Sequence, residues 1–406
     1  MIRIIHGGVT APTGFKAHGI TCGIKRSKKK DLALVVSDKL CDAAGVFTSN
    51  KVQASCVVVN KDHLRDAKAQ AIVCNSGNAN CMTGEPGFEN TRSMASATAR
   101  HLGLKKKNVL VASTGVIGQP LPITKILRGL PELVKGLNRH GSDDAAAAIL
   151  TTDKQTKQMA VEFNVGKRRV RLGAICKGSG MLHPQMQSPK HATMLCFVST
   201  DAVISHAALR SALERAIEKT FNSITVDGDM STNDMVLILA NGMAQNRVIV
   251  EKTPEFRLFC KALEMVCLVL AKQMIKDAEG ATKFVEITVR RAATSEDARL
   301  AAKAVASSNL VKCALFGCDP NWGRIAAATG YSGASVDPWK LTIQLGREIV
   351  LKNGGRVKKD ASILNCIFAK KNIRIVVDLG LGKYAATCYT SDLSTNYVRI
   401  NSAYRT

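Results

Sequence analysis

The side chains best placed for chemistry are a lysine set in a glycine loop and a threonine that follows it at the mouth of a buried strand. In Lys177-Gly-Ser-Gly-Met-Leu-His-Pro184 two glycines bracket a serine, and the proline blocks regular structure. Ala192-Thr-Met-Leu195 then leads into the apolar run Met194-Leu-Cys-Phe-Val198, which reads as a buried strand. Two readings of Thr193 stand side by side. It is an ordinary β-branched strand residue, or the Ala192-Thr193 bond cleaves itself and frees Thr193 as an N-terminal nucleophile activated by its own α-amine. The small Ala192 suits the second reading, because the hydroxyl must reach the preceding carbonyl.

A strand at 109–112 runs into Ser113-Thr-Gly-Val-Ile-Gly118. A strand that stops at Thr-Gly presents a hydroxyl and a backbone N–H together, the equipment of an oxyanion hole, in which a single donor is worth roughly 2.7–4 kcal/mol. The polar loop Asn75-Ser-Gly-Asn-Ala-Asn80 follows another short strand and suits tight turns and amide hydrogen bonding, a structural role. Asp227, Asp229 and Asp234 cluster in one segment, but their spacing fits no EF-hand loop, so no metal is expected there. Gly380-Leu-Gly-Lys383 is too short a signal for a nucleotide site, and no Walker motif occurs.

The elements that must position these groups alternate in type. Strands at 19–24 and 31–36 form a hairpin across the basic run Lys25-Arg-Ser-Lys-Lys-Lys30, and 45–50 and 56–60 continue the strands. Helices fall at 121–136 and 143–150, then paired strands at 159–163 and 169–176 deliver the chain to Lys177. Thr200-Asp-Ala is set to cap a helix with its apolar stripe on Leu209, Leu213, Ile217 and Phe221. A long helix at 254–276 stops near Gly280, placing Glu279 between that helix and a strand at 284–289, and a further helix covers 295–307.

A chain of 406 residues is long enough for two or more domains. Hydrophobic content of 46% with 22% charged residues describes a globular protein, and no run of about 18 uncharged apolar residues is present. The start carries no long apolar core of a signal peptide, so a cytoplasmic protein with no membrane partner is expected. The 13 cysteines form no Cys-x-x-Cys pair, which fits buried thiols in a reducing compartment and no structural metal. A net charge of +25 invites a nucleic-acid reading, but the cations are spread along the chain and aromatic residues make up only 4%. Solvated basic faces, with no nucleic-acid partner, are expected instead.

Lys177-Gly-Ser-Gly-Met, the following His-Pro and Ala192-Thr-Met-Leu195 resemble the ornithine acetyltransferase (glutamate N-acetyltransferase) family of arginine biosynthesis. So do Asn75-Ser-Gly-Asn-Ala-Asn80, Thr151-Thr-Asp, the segment from Phe221 to Asp234, Asp319-Pro-Asn-Trp-Gly-Arg324 and the closing Asn401-Ser-Ala-Tyr-Arg-Thr406. The likeness runs nearly end to end. It implies an α/β fold with an N-terminal-nucleophile-like αββα core over 1–289, of the aminopeptidase and ornithine acetyltransferase type. A smaller C-terminal α/β domain, 290–406, would send its tail back to the active site.

Self-cleavage between Ala192 and Thr193 would give an alpha chain, 1–192, and a beta chain, 193–406, assembled as two of each. The resemblance makes Thr193 the nucleophile and Thr114 with Gly115 the oxyanion donors. Thr151, Lys177, Thr193, Glu279, Asn401 and Thr406 would bind substrate. Acetyl would pass from N2-acetylornithine to L-glutamate with no cofactor, acetyl-CoA entering only as a co-substrate of a bifunctional enzyme. One departure stands out: Gln187-Ser-Pro-Lys-His191 adds five residues directly before the bond to be cut. The rival readings are an N-terminal-nucleophile aminopeptidase, in which water takes the acyl group, and an unprocessed basic binding protein.

Overall fold

The computed structural model describes residues 1–184 and 194–402. Gln187 to His191, Ala192, Thr193 and Thr406 therefore lie outside the described residues. Contacts divide the chain into two units, each built on its own sheet. Unit 1 holds 1–178, 184–222 and 230–274, and unit 2 holds 179–183, 223–229 and 275–406. The fold is mixed α/β, as expected.

The strands of unit 1 are β1 (Ile2–Ile5), β2 (Phe15–Ile20), β3 (Leu32–Phe47), β4 (Lys68–Asn78), β5 (Val109–Val116), β6 (Lys157–Val165), β7 (Arg168–Lys177), β8 (Leu195–Thr200) and β10 (Met235–Ala240). They form one nine-stranded sheet in the order β1-β6-β7-β8-β10-β3-β4-β5, with β2 paired to β3. Central strands such as β10, Met-Val-Leu-Ile-Leu-Ala, are buried throughout, which is why they read as continuous apolar runs. Helices α1 (Ser55–His63), α2 (Gly84–Leu102), α3 (Ile123–Lys135), α4 (Ser142–Ala148) and α5 (His206–Lys219) lie against this sheet. Phe15, Leu34, Ile72, Leu110, Met94 and Ile126 meet in the core between helices and strands.

In unit 2, β9 (Ile224–Thr225), β11 (Phe284–Ala292), β12 (Thr342–Leu345), β13 (Glu348–Lys352), β14 (Gly355–Arg356), β15 (Asn372–Asp378) and β16 (Tyr384–Ser391) pair in the order β14-β13-β12-β15-β11-β16-β9. Here α7 (Ser295–Ser307) packs on β11 and β16, burying Val305 against Val285, Ile287 and Cys388. Helix α6 (Pro254–Lys276) lies in unit 1 but for its last two residues, and the remaining helices of unit 2 are α8 (Asn309–Phe316), α9 (Trp322–Gly330), α10 (Ala361–Phe368) and α11 (Thr395–Ser402). The contacts draw the division near residue 275 rather than at 289/290, because β11 pairs on both sides with strands of unit 2.

Two local expectations are corrected. Cys56-Val-Val-Val-Asn60, with its β-branched run, is part of helix α1. The Asn60 side chain donates to Val111 O and accepts from Val111 N, both at 2.8 Å, and tertiary docking on β5 outweighs strand propensity. Helix α5 is capped by Ser205, whose hydroxyl accepts from Ala208 N, while Thr200 ends strand β8. All 13 cysteines are free, and eight are buried. Among the described residues no helix is long and apolar enough to cross a membrane.

Candidate active site

The end of β5 carries Thr114 and Gly115, in register with Ser76 and Gly77 of β4. Gly115 has φ +135°, and a Cβ there would stand 2.3 Å from the carbonyl carbon of Gly77, so only glycine fits. The polar loop behind it is a scaffold. Asn75 accepts from Ser113 Oγ at 2.7 Å, and Asn233 donates to Ala79 O at 2.6 Å and Ser113 O at 2.8 Å, fixing the backbone just before Thr114. Asn80 spends its amide on Ser55, Gly87 and Thr91, which anchors the end of this loop to α1 and α2.

Lys177 ends β7 with its Nζ 3.5 Å from Thr114 Oγ1 and 3.9 Å from Asp153 Oδ2. The register pairs Lys177 with Leu195, so the strand that begins two positions after Thr193 is zipped to the strand that ends at this lysine. Met194, the last described residue before it, is 2% exposed and accepts from Met235 N at 2.8 Å.

Asp153 is the hub that the sequence reading missed. Its carboxylate takes Lys157 Nζ at 2.7 Å, Gly178 N at 2.8 Å and Thr151 N at 3.2 Å, besides facing Lys177. Burial alone would raise its pKa, but the ammoniums of Lys177 and Lys157 with the hydrogen bonds outweigh it and hold the carboxyl at about 2. Thr151 is thus placed through its backbone, at the same carboxylate as Lys177. The signal was present in Thr-Thr-Asp-Lys154, where the aspartate follows the expected threonine by two.

Lys25 was also missed. Inside the basic run Arg26, Ser27, Lys28 and Lys29 are exposed, whereas Lys25 and Lys30 are half-buried. Buried Asp31 accepts from the N–H groups of Cys22, Ile24 and Lys25 and folds the turn inward, setting the Lys25 stem against Gly77. Burial lowers the Lys25 ammonium to about 8, with Asp31 acting in the opposite direction.

In unit 2, Glu279 and Asn401 meet: Asn401 Nδ2 donates to Glu279 Oε2 at 2.9 Å. The Glu279 backbone N–H donates to Ser179 O at 2.8 Å, and its carboxylate fills the space over Gly180, where a Cβ would come within 2.3 Å. Asp227 clamps the same loop by accepting from Met181 N at 2.6 Å and Leu182 N at 2.8 Å, and Tyr397 of α11 donates to it at 3.1 Å. Burial raises the pKa of Asp227 against these hydrogen bonds. His183 contacts Thr225 Oγ1 at 2.9 Å and is lowered to about 4, mainly by burial and then by Lys303.

Thr114, Gly115, Thr151 and Lys177 thus gather in unit 1, and Glu279 with Asn401 in unit 2. Ala192, Thr193 and Thr406 are outside the described residues. Chemically, unit 1 offers a hydroxyl and backbone N–H beside a cation, and unit 2 a buried carboxylate held by an amide.

Comparison with known proteins identifies the family. The ArgJ family model matches residues 16–406. The chain is 49% identical to the arginine biosynthesis bifunctional protein ArgJ of Caldanaerobacter subterraneus subsp. tengcongensis over 409 aligned residues, covering all of both chains. It is 47% identical to the protein of the same description from Symbiobacterium thermophilum, covering 98% of this chain and 99% of that one. The crystal structure of the corresponding Bacillus halodurans protein matches with a TM-score of 0.50 and 41% identity, over 51% of this chain and 97% of that chain. This chain belongs to the ArgJ family, acetyltransferases of arginine biosynthesis. Membership sets aside the aminopeptidase and the basic binding protein.

Proposed function

We propose that the chain cuts itself between Ala192 and Thr193 and then carries acetyl on Thr193 from N2-acetylornithine to L-glutamate. The α-amine freed by the cut, with an ordinary pKa of about 7.7–8.0, takes the Thr193 hydroxyl proton as Oγ attacks the acetyl carbonyl. Thr114 Oγ1–H and the Gly115 N–H receive the developing oxyanion. The amide C–N bond breaks, the proton passes to the departing ornithine nitrogen, and a threonine ester remains. The glutamate amine then attacks the ester carbonyl, the bond from the acetyl carbon to Thr193 Oγ breaks, and the α-amine carries the proton from the glutamate nitrogen to Oγ, closing a ping-pong cycle.

The observation that carries this reading is the Lys177 and Leu195 register, with Thr114 within 3.5 Å of Lys177 Nζ. Lys177 answers a substrate carboxylate and Glu279 an ammonium, with Thr151, Asn401 and Thr406 supplying hydrogen bonds. The solved Bacillus halodurans chain matches about half of this one, the share that one product of such a cut would have. A cytoplasmic enzyme of two alpha and two beta chains completes the proposal. It needs no cofactor, and acetyl-CoA is a second acetyl donor only if the chain shares the bifunctionality named for its relatives.

Intact-mass analysis of the purified protein tests it. Fragments 1–192 and 193–406 are expected, and Thr193→Ala should give one uncut chain. An uncut wild-type chain that also fails to release ornithine from N2-acetylornithine plus glutamate would overturn the proposal.

A further inference from the structure

A hollow of about 940 Å³ in unit 1, bounded by α1, α2 and the 3-10 turn Lys106–Asn108, is lined by Lys61, Arg65, Arg92, Lys105, Lys106 and Lys107. Asp62 is the one carboxylate among its lining residues. Arg65, Arg92 and Lys107 have carboxylate partners in Asp62, Glu85 and Asp66. Each of those pairs cancels its own charge toward an incoming anion, so the site's positive excess rests on the other three cations. No carboxylate among the described residues stands within ion-pair distance of Lys61, Lys105 or Lys106. The half-buried Lys61 instead donates to Gln53 Oε1 at 3.0 Å, and burial lowers its pKa.

The volume is that of a small-molecule site. Its walls are preformed, because Asn60 grips Val111 at both backbone atoms and His63 Nδ1 contacts Val109 O at 2.9 Å. The C-terminal end of α1 opposes an anion by roughly half a charge, which is small against the three cations, Lys61, Lys105 and Lys106, that the three ion pairs leave over. Half-buried Phe88 adds an aromatic face and Val58 an apolar one.

We propose that this hollow binds a nucleoside polyphosphate, its clustered phosphates among Lys61, Lys105 and Lys106 and its base on Phe88. Adenosine polyphosphates and the phosphorylated adenosine end of coenzyme A share this chemistry. The site is separate from the acetyl-transfer residues. Val109 and Thr114 are five positions apart on β5, roughly 17 Å. The proposal therefore holds whether or not Thr193 becomes a nucleophile.

Isothermal titration of the full protein with ATP, coenzyme A and inorganic tripolyphosphate tests it, at two salt concentrations. One-to-one binding of ATP or coenzyme A is expected, weakened by salt, and the tighter of the two names the source of the ligand. The Lys105→Glu/Lys106→Glu variant should weaken it at least about tenfold, as loss of charge-assisted bonds requires. Phe88→Leu should weaken ATP more than tripolyphosphate. Both variants should keep wild-type circular dichroism and ornithine release. No binding, equal binding of ATP and tripolyphosphate, or unchanged affinity in the charge variant would each overturn the assignment.

Discussion

Asn401 and Glu279, 122 positions apart, are joined by a 2.9 Å hydrogen bond from the Asn401 amide to a Glu279 carboxylate oxygen. Glu279 is only 6% exposed, so the amide both orients the carboxylate and supports its charge. Asn401 also donates to Tyr397 O at 3.1 Å, which ties its own rotamer to α11.

Removing that amide should leave the fold intact and loosen the carboxylate. Asn401→Ala is expected to lower kcat/KM for N2-acetylornithine about 10- to 100-fold, the equivalent of one hydrogen bond to a charged group. Most of the change should appear in KM. Steady-state kinetics decide the matter, and an unchanged kcat/KM would take Asn401 out of the site.

Two glycines near Glu279 should respond differently to the same methyl group. In Gly180→Ala the new Cβ meets the end of the Glu279 side chain, which can swing away, so thermal stability should change little while acetyl transfer falls. In Gly280→Ala the Cβ meets Tyr397 N at 2.4 Å with φ at +68°, and backbone cannot yield. A stability loss of roughly 1–2 kcal/mol from the left-handed conformation alone is expected, with the clash added. Denaturant titration of both variants separates the two outcomes.

Asp153 sets an acid limit. Its folded pKa of about 2 lies below the ordinary 3.8, so its contribution to stability is complete above about pH 4 and disappears as pH falls through 2. Asp153→Asn should flatten the fall in melting temperature between those values and leave Lys157, which is 1% exposed, without its carboxylate. Melting curves from pH 2 to 7 measure this. An identical pH profile in the variant would refute the role assigned to Asp153.

The Asp227 clamp should show a graded series. Tyr397→Phe removes one hydrogen bond and is expected to cost roughly 1 kcal/mol, whereas Asp227→Ala also strands the N–H groups of Met181 and Leu182, at roughly 1–3 kcal/mol each. Chemical denaturation of the two variants gives the comparison. Equal losses would mean that the loop holds its shape without the carboxylate.

Periodicity and motif type found much of the framework. The hairpin before and after the basic run, helix α7, the paired strands β6 and β7 and the strand after Thr193 were legible because each has a local pattern. Cys56 to Asn60 was not. Its β-branched run is that of a strand, and only the contact with Val111 on β5 makes it helical.

The sequence alone determined the family, through motifs fixed by residue type and order: the Lys177 loop, the segment from Phe221 to Asp234 and the closing Asn401 segment. Tertiary structure decided which of these groups touch and what supports them. Asp153 carried no role of its own in the sequence and Asp227 stood only as one of three clustered carboxylates, until burial and backbone N–H groups turned the first into a hub for two lysines and the second into a clamp. Hydrogen bonding at about 3 Å between residues dozens to hundreds of positions apart is a property of the packed chain, and no spacing in the sequence encodes it.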